Sequence, residues 1–319
     1  MKKQIVTIAA LAMSLNMFAQ QWPVPNQEAK PGTRWWWLGS AVTENDLKWN
    51  LRQFADHGIG AIEITPIYGV QGNEKNNIPF LSPRYMDILK YVNAECKADG
   101  IEFDMATGTG WPFGGPWVPL DESASQMLII DTTVVGKKIK ALDLRPIEKK
   151  RKNTTLVGIY AFSEGKFLKI TTPLVEGTLT TKLPSKGTWR IIALYQKKGV
   201  MAVKRAAPGG AGLVIDHFDK QAVTNYLKHI EEAFEKTGTP YPHTFFNDSY
   251  EVSESDYTPT LFQEFYNRRG YSLEENFDKL VDGDTKVVAD YRETLGDMLL
   301  DNFTRTWTAW AHSHGAITR

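Results

Sequence analysis

A single cysteine, Cys96, stands in a chain of 319 residues, so an internal disulfide is excluded, and with it the small stapled scaffolds. Net charge is missing as well. The 37 Lys and Arg balance 37 Asp and Glu, which leaves no overall field to gather polyanions. The apolar stretch at residues 5–18 is too short and too weakly flanked to span a membrane. No G-x-G-x-x-G or G-x-x-x-x-G-K-[ST] follows a strand pattern, so nucleotide binding is not favoured. His312 and His314 lie two apart and do not share a helix face, and zinc spacing is absent. Neither is there an EF-hand-type calcium loop.

What is present begins with aromatics, 12% of the chain with ten Trp. Flat rings stack on the C–H faces of sugars, and they also fill cores; each Trp is open to either role. The length suits roughly two domains. Lys2 and Lys3, the apolar residues 5–18 and the small Ala19 form a secretory leader over residues 1–19, which predicts a secreted or periplasmic protein. No cysteine follows to carry a lipid. Charge is unevenly spread: residues 123–206 hold 17 Lys and Arg against five Asp and Glu, a net of +12, and the remainder carries −12. A solvated lysine face, or attraction to an acidic polysaccharide, accounts for this better than nucleic acid does in an exported chain.

Along the chain, a Pro-rich stretch leads into a strand at 34–39. Thr43 caps a helix that Gly58 ends, and residues 59–65 form a second strand. Ser82 and Pro83 open a helix that stops at Gly100. Its apolar stripe, Tyr85, Ile88, Leu89 and Val92, includes Cys96, which marks that thiol as core rather than nucleophile. A third strand at 101–106 gives way to a Gly/Trp loop over 107–117. From 123 to 206 the helical period disappears, and β-rich runs at 127–135, 156–162 and 188–195 predict an inserted all-β domain. Residues 206–212 are the expected return linker. Helices over 220–236, 258–270 and 286–312 follow, with a fourth strand near Thr244. The division is therefore a leader (1–19), a first part (20–122), the β insert (123–206) and a continuation (207–319). Four strand–helix units make an α/β protein, either a partial (β/α)8 TIM-type barrel or an open doubly wound sheet. Both would cover the parallel strands on both faces.

Chemistry gathers just past these strands. The first offers Trp35 to Trp37, with Trp36 at its centre, and the second Glu63, Thr65 and Tyr68. The third offers Asp104, Thr107 and Trp111. In the fourth, the run Phe245–Glu251 takes an apolar strand straight into Asn247, Asp248 and Glu251. In a barrel these ends meet on one face, and acids, amides and indoles together suit a neutral polyol. Glycoside hydrolysis needs two carboxyls around the scissile bond, one of them kept protonated. Each residue has a plainer reading. Glu63 pairs with an arginine, Asp104 braces a strand, Asp248 orients a neighbour and Glu251 is a solvated loop residue. In Asp216-His217-Phe218-Asp219 one acid caps the next helix, and His217 is either structural or a donor to a sugar hydroxyl.

The ordered segments 31–39 (PGTRWWWLG), 58–65 (GIGAIEIT), 103–111 (FDMATGTGW), 206–218 (AAPGGAGLVIDHF) and 245–251 resemble glycoside hydrolase family 106, over about residues 22–319. The resemblance implies a (β/α)8 catalytic domain with a β insertion and inverting hydrolysis of terminal α-L-rhamnose. It further implies a rhamnose-containing oligosaccharide or polysaccharide as partner, and calcium. By motif, Glu251 looks like a catalytic carboxylate, here assigned as general acid; from the reading of the residues themselves, Trp36, Glu63, Asp104, Trp111, His217, Asn247 and Asp248 are the expected substrate-binding residues. The second carboxylate and the calcium ligands are not identified. Family members continue further, so the expectation is a truncated protein, weakly active or inactive alone and poorly soluble. A non-catalytic carbohydrate-binding protein and a different TIM-barrel glycosidase are the alternatives.

Overall fold

The structure, a computed structural model, describes residues 25–319. The leader expected over residues 1–19, and the start of the Pro-rich stretch, lie outside them. Five parallel strands form one sheet: β1 (Gly32–Leu38), β2 (Ala61–Ile67), β3 (Glu102–Ala106), β10 (Thr244–Phe246) and β11 (Ile317–Thr318). They lie side by side in that order, which is chain order. A doubly wound sheet reverses its strand order at a switch point, and no reversal occurs here among the described residues.

The helices between them form where the chain provides caps. In α1 (Glu44–Asp56), the Thr43 hydroxyl accepts the Asp46 N–H at 3.3 Å. In α2 (Pro83–Asp99), the Ser82 hydroxyl accepts the Tyr85 N–H at 3.3 Å, and Gly100 closes the helix at φ 67°. In α3 (Lys220–Thr237), the Asp219 carboxylate accepts the Gln221 N–H at 2.8 Å. These helices and α7 (Arg305–Ser313) bury Leu51, Leu89, Cys96, Ile230, Phe234 and Trp307 against Ile62, Ile64, Phe103, Met105 and Phe245 of the sheet. Each such side chain contributes about 1.5–3 kcal/mol by leaving water. Burial also pushes the Cys96 thiol up to about 12, so it is inert core.

Side chains alternate along a strand, so the intervening residues face the other way. That second face carries Arg34, Trp36, Glu63, Thr65, Asp104, Thr244 and Phe246. The expected apolar cover on both faces is thus replaced on one of them by charges and rings.

Four further strands, β5 (Ser125–Asp143), β6 (Thr154–Ser163), β7 (Lys166–Ile170) and β8 (Thr178–Lys198), form an antiparallel sheet in the order β5-β8-β6-β7. The β runs expected at 127–135 and 188–195 are parts of strands 19 and 21 residues long. Ile159, Ala161, Ile191 and Ala193 fill the core on one side. On the other, Tyr160, Phe162, Ile192 and Leu194 pack on α4 (Leu261–Arg269), α5 (Phe277–Asp282) and α6 (Thr285–Met298) through Phe265, Phe277, Tyr291 and Met298. The sheet therefore shares a core with later helices. The helix expected over 286–312 is interrupted by a π-helical turn, Leu299–Thr304, between α6 and α7.

The stretch 206–212 is packed, not a free linker. Phe80 N–H donates to Pro208 O at 2.8 Å and Val203 N–H to Gly212 O at 2.9 Å. Just beyond it, β9 (Leu213–Val214) pairs antiparallel with β4 (Gly114–Gly115). No helix of the described residues is long and apolar enough to cross a membrane.

Candidate active site

Strand register sets Arg34, Glu63, Asp104 and Thr244 side by side on the second face. Arg34 Nε donates to Glu63 Oε1 and Arg34 Nη1 to Asp248 Oδ2, both at 2.9 Å. Arg319 Nη2 donates to Glu63 Oε2 at 2.8 Å, and the Thr65 hydroxyl to Oε1 at 3.0 Å. The Glu63 side chain is only 5% exposed, and a carboxylate so buried needs such partners. Both guanidiniums lie over Phe246, 4.6 Å and 5.4 Å from its centroid. Glu63 is thus the arginine-paired residue of the two readings, and Asp248 orients Arg34. Sequence reasoning passed over Arg34 and Arg319. The signal for Arg34 was a lone cation opening a Trp strand.

Asp104 is buried at the same level. Burial raises its carboxyl above the usual range, against the pull of Thr244, Arg319 and His243. His243 Nδ1, just before β10, stands 3.5 Å from its Oδ1, which has no hydrogen-bond partner among the described residues.

Glu251 sits past β10, its side chain 48% exposed. Trp111 Nε1 donates to Oε2 at 3.2 Å, Lys204 Nζ to Oε2 at 3.3 Å and Ser249 Oγ to Oε1 at 3.1 Å. Ser249 first, then Lys204 and Trp111, hold its carboxyl below the usual glutamate value. These contacts favour the ionised form of Glu251, whereas the expected general acid would hold its proton.

A narrow cleft runs between Thr65, Thr107, Trp111, Phe246, Asn247 and Asp248. Its internal space, about 10 Å³, takes roughly one water. That space is too small for a ring-sized ligand; above it Trp36, 41% exposed, lies edge to face with Trp111 at 6.5 Å between centroids. Asn247 is tied into the sheet, its N–H donating to Arg319 O at 3.1 Å.

His217 does not join this group. It is enclosed by Phe303 at 4.7 Å and Tyr250 at 5.1 Å, and its Nδ1 lies 3.0 Å from Ile215 O. Burial pushes the imidazole down to about 3, so it is neutral and structural. A sugar hydroxyl cannot reach it. The adjacent Asp216 is also buried and pushed up to about 7, and of the two acids it is Asp219 that caps the next helix.

Among the described residues no three His, Cys, Asp or Glu side chains gather to hold a cation. Glu63 and Asp248 are already paired with arginines. The described residues therefore bring no acidic cluster together for the expected calcium.

Carboxylates, an amide and exposed indoles at the carboxyl ends of parallel strands define a carbohydrate-active α/β protein. The chain belongs to glycoside hydrolase family 106, the α-L-rhamnosidases, whose model matches residues 23–156 and 160–318. It is 25% identical over 344 residues to a Formosa agariphila protein named "Putative beta-glucuronidase", across 91% of this chain and 29% of that one. Its fold is similar to the rhamnosidase from Novosphingobium sp. PP1Y, with a TM-score of 0.68 and 16% identity, covering 92% of this chain and 46% of that one. The chain spans less than half the length of either relative.

Proposed function

We propose that this chain forms the first part of the catalytic barrel of an exported α-L-rhamnosidase that removes terminal α-L-rhamnose from a glycan with inversion. In this reading the five-stranded sheet is the opening portion of a (β/α)8 barrel and its charged face is the barrel's interior. Residues 123–206 are an inserted β domain. One-way strand order with helices packed on the opposite, apolar face supports the barrel over the doubly wound alternative. The observation that carries the functional reading is the Trp111–Glu251 pair beside the Trp36 ring, in a member of this family.

Inversion divides the work between two carboxyl groups about 6.5–9.5 Å apart. Glu251, held ionised, takes the proton of the attacking water. The acid partner is assigned to the part of the family's length that this chain does not span. Trp36 and Trp111 carry the sugar ring, and Asn247 and Asp248 line the cleft below it.

The test is rhamnose release from an aryl α-L-rhamnoside, by the 319-residue chain and by any longer protein that carries it, each compared with Glu251→Gln. Release by either form that falls about 10³-fold or more in the variant supports the reading. Release that survives Glu251→Gln overturns it. The name of the Formosa relative and the cations at the mouth favour one second reading, hydrolysis of a β-glucuronide. Assaying aryl glucuronides beside rhamnosides separates the two.

A further inference from the structure

The segment that returns from the antiparallel sheet brings two cations to the mouth of the cleft. Trp111 N–H donates to Lys204 O at 3.2 Å, and Lys204 N–H to Trp111 O at 2.9 Å. Lys204 is committed to Glu251. Arg205 is not committed to any acid: among the described residues no carboxylate lies within 4.0 Å of its guanidinium. Its guanidinium carbon lies instead 5.6 Å from the Tyr68 ring centroid and 5.9 Å from that of Trp111, and Nη1 donates to the Tyr68 hydroxyl at 3.2 Å. The backbone of Arg205 is left-handed, φ 56°, a region a long side chain enters only at a cost. Tyr68 N–H fixes that backbone by donating to Arg205 O at 3.1 Å. Trp111 therefore holds Glu251 by its indole edge and Arg205 by its face.

We infer that Arg205, with Tyr68 and Trp111, forms a subsite for the carboxylate of a uronic acid adjoining the sugar to be released. This rests on the rhamnoside reading above and adds the class of its neighbouring residue. A guanidinium fork matches a carboxylate with two parallel hydrogen bonds. Stacking on two rings orients that fork in advance, which lowers the cost of binding. A neutral neighbour gives no reason to keep an unpaired cation in a strained position at the mouth. The net +12 of residues 123–206, which Arg205 nearly closes, would attract an acidic glycan over a distance set by salt.

The test is calorimetric titration of the full chain with a rhamnosyl-glucuronic acid disaccharide and with its rhamnosyl-glucose counterpart. The acidic ligand binds roughly tenfold tighter, and the preference shrinks as salt is added. It collapses in Arg205→Gly, which accepts the left-handed backbone without strain and so keeps the loop. It survives in part in Arg205→Lys. Equal affinity for the two ligands, or a preference undiminished in Arg205→Gly, overturns this inference and leaves the rhamnoside reading standing. Failure of both disaccharides to bind overturns the rhamnoside reading, and this inference with it.

Discussion

The indole N–H of Trp111 lies 3.2 Å from Glu251 Oε2 and joins the loop after β3 to the segment after β10. The two residues are 140 apart in sequence. With Ser249 and Lys204 on the same carboxylate, the contact lowers the titration of a residue exposed enough to be an ordinary loop glutamate.

Glu251 should therefore titrate below the ordinary glutamate range and stay charged as pH falls through it. Ser249→Ala removes the largest of the contacts holding its value down, and Lys204→Met the next. Each should move the titration upward, read by NMR of the Glu251 side-chain carbon. An unmoved titration in both variants would show that these contacts do not set its charge.

Arg34 links Glu63 and Asp248. Arg34→Met leaves buried Glu63 with Arg319 and the Thr65 hydroxyl and should cost about 1–3 kcal/mol in urea unfolding. Arg34→Lys should recover little, because a point charge does not reach two acids as a fork does. Wild-type stability in Arg34→Met would contradict the bridging role.

Asp216 and His217 should make stability depend on pH in opposite senses. Asp216 rises from 3.8 to about 7 on folding, so its contribution is full below about pH 4 and fades as pH climbs towards 7. His217 falls from 6.5 to about 3, so its contribution is full above about pH 6.5 and fades as pH drops towards 3. Between about pH 4 and 6.5 the two slopes, each about 1.4 kcal/mol per pH unit, oppose. Asp216→Asn should unmask the histidine and lose stability on acidification from pH 6.5 to 4.5. Urea midpoints that track the wild type across that range would contradict this.

Gly110 has φ 56°, and a Cβ on it would stand 1.9 Å from Lys204 O. Gly110→Ala should separate the Trp111–Lys204 backbone pair at a cost of about 1–3 kcal/mol. Hydrogen exchange at the Trp111 and Lys204 amides should quicken together. Unchanged protection at both would show that the pairing tolerates a side chain.

Much of this fold was legible in the chain. Continuous apolar runs located β2 and β3, and Thr43, Ser82 and Gly100 marked helix ends because capping is local chemistry. The polar face was legible only as residues near strand ends. That Arg34, Glu63 and Asp104 share one level depends on strand register, which no single segment encodes. Arg205 was hidden because its position comes from pairing with residues almost a hundred places earlier. The two readings of His217 stayed open because an aromatic enclosure drawn from Tyr250 and Phe303 has no local signature. Part of what lowers Glu251 was hidden for the same reason: Ser249 is close in sequence, but Trp111 and Lys204 are not.

The central claim is that a rhamnoside sits over Trp36 and Trp111. Indole N–H NMR of the described chain, titrated with an α-L-rhamnoside, tests it without requiring turnover. The account predicts shifts at Trp36 and Trp111 and none at Trp189, buried in the antiparallel sheet. Silent Trp36 and Trp111 signals, with any response confined to outlying rings such as the exposed Trp49, would contradict it.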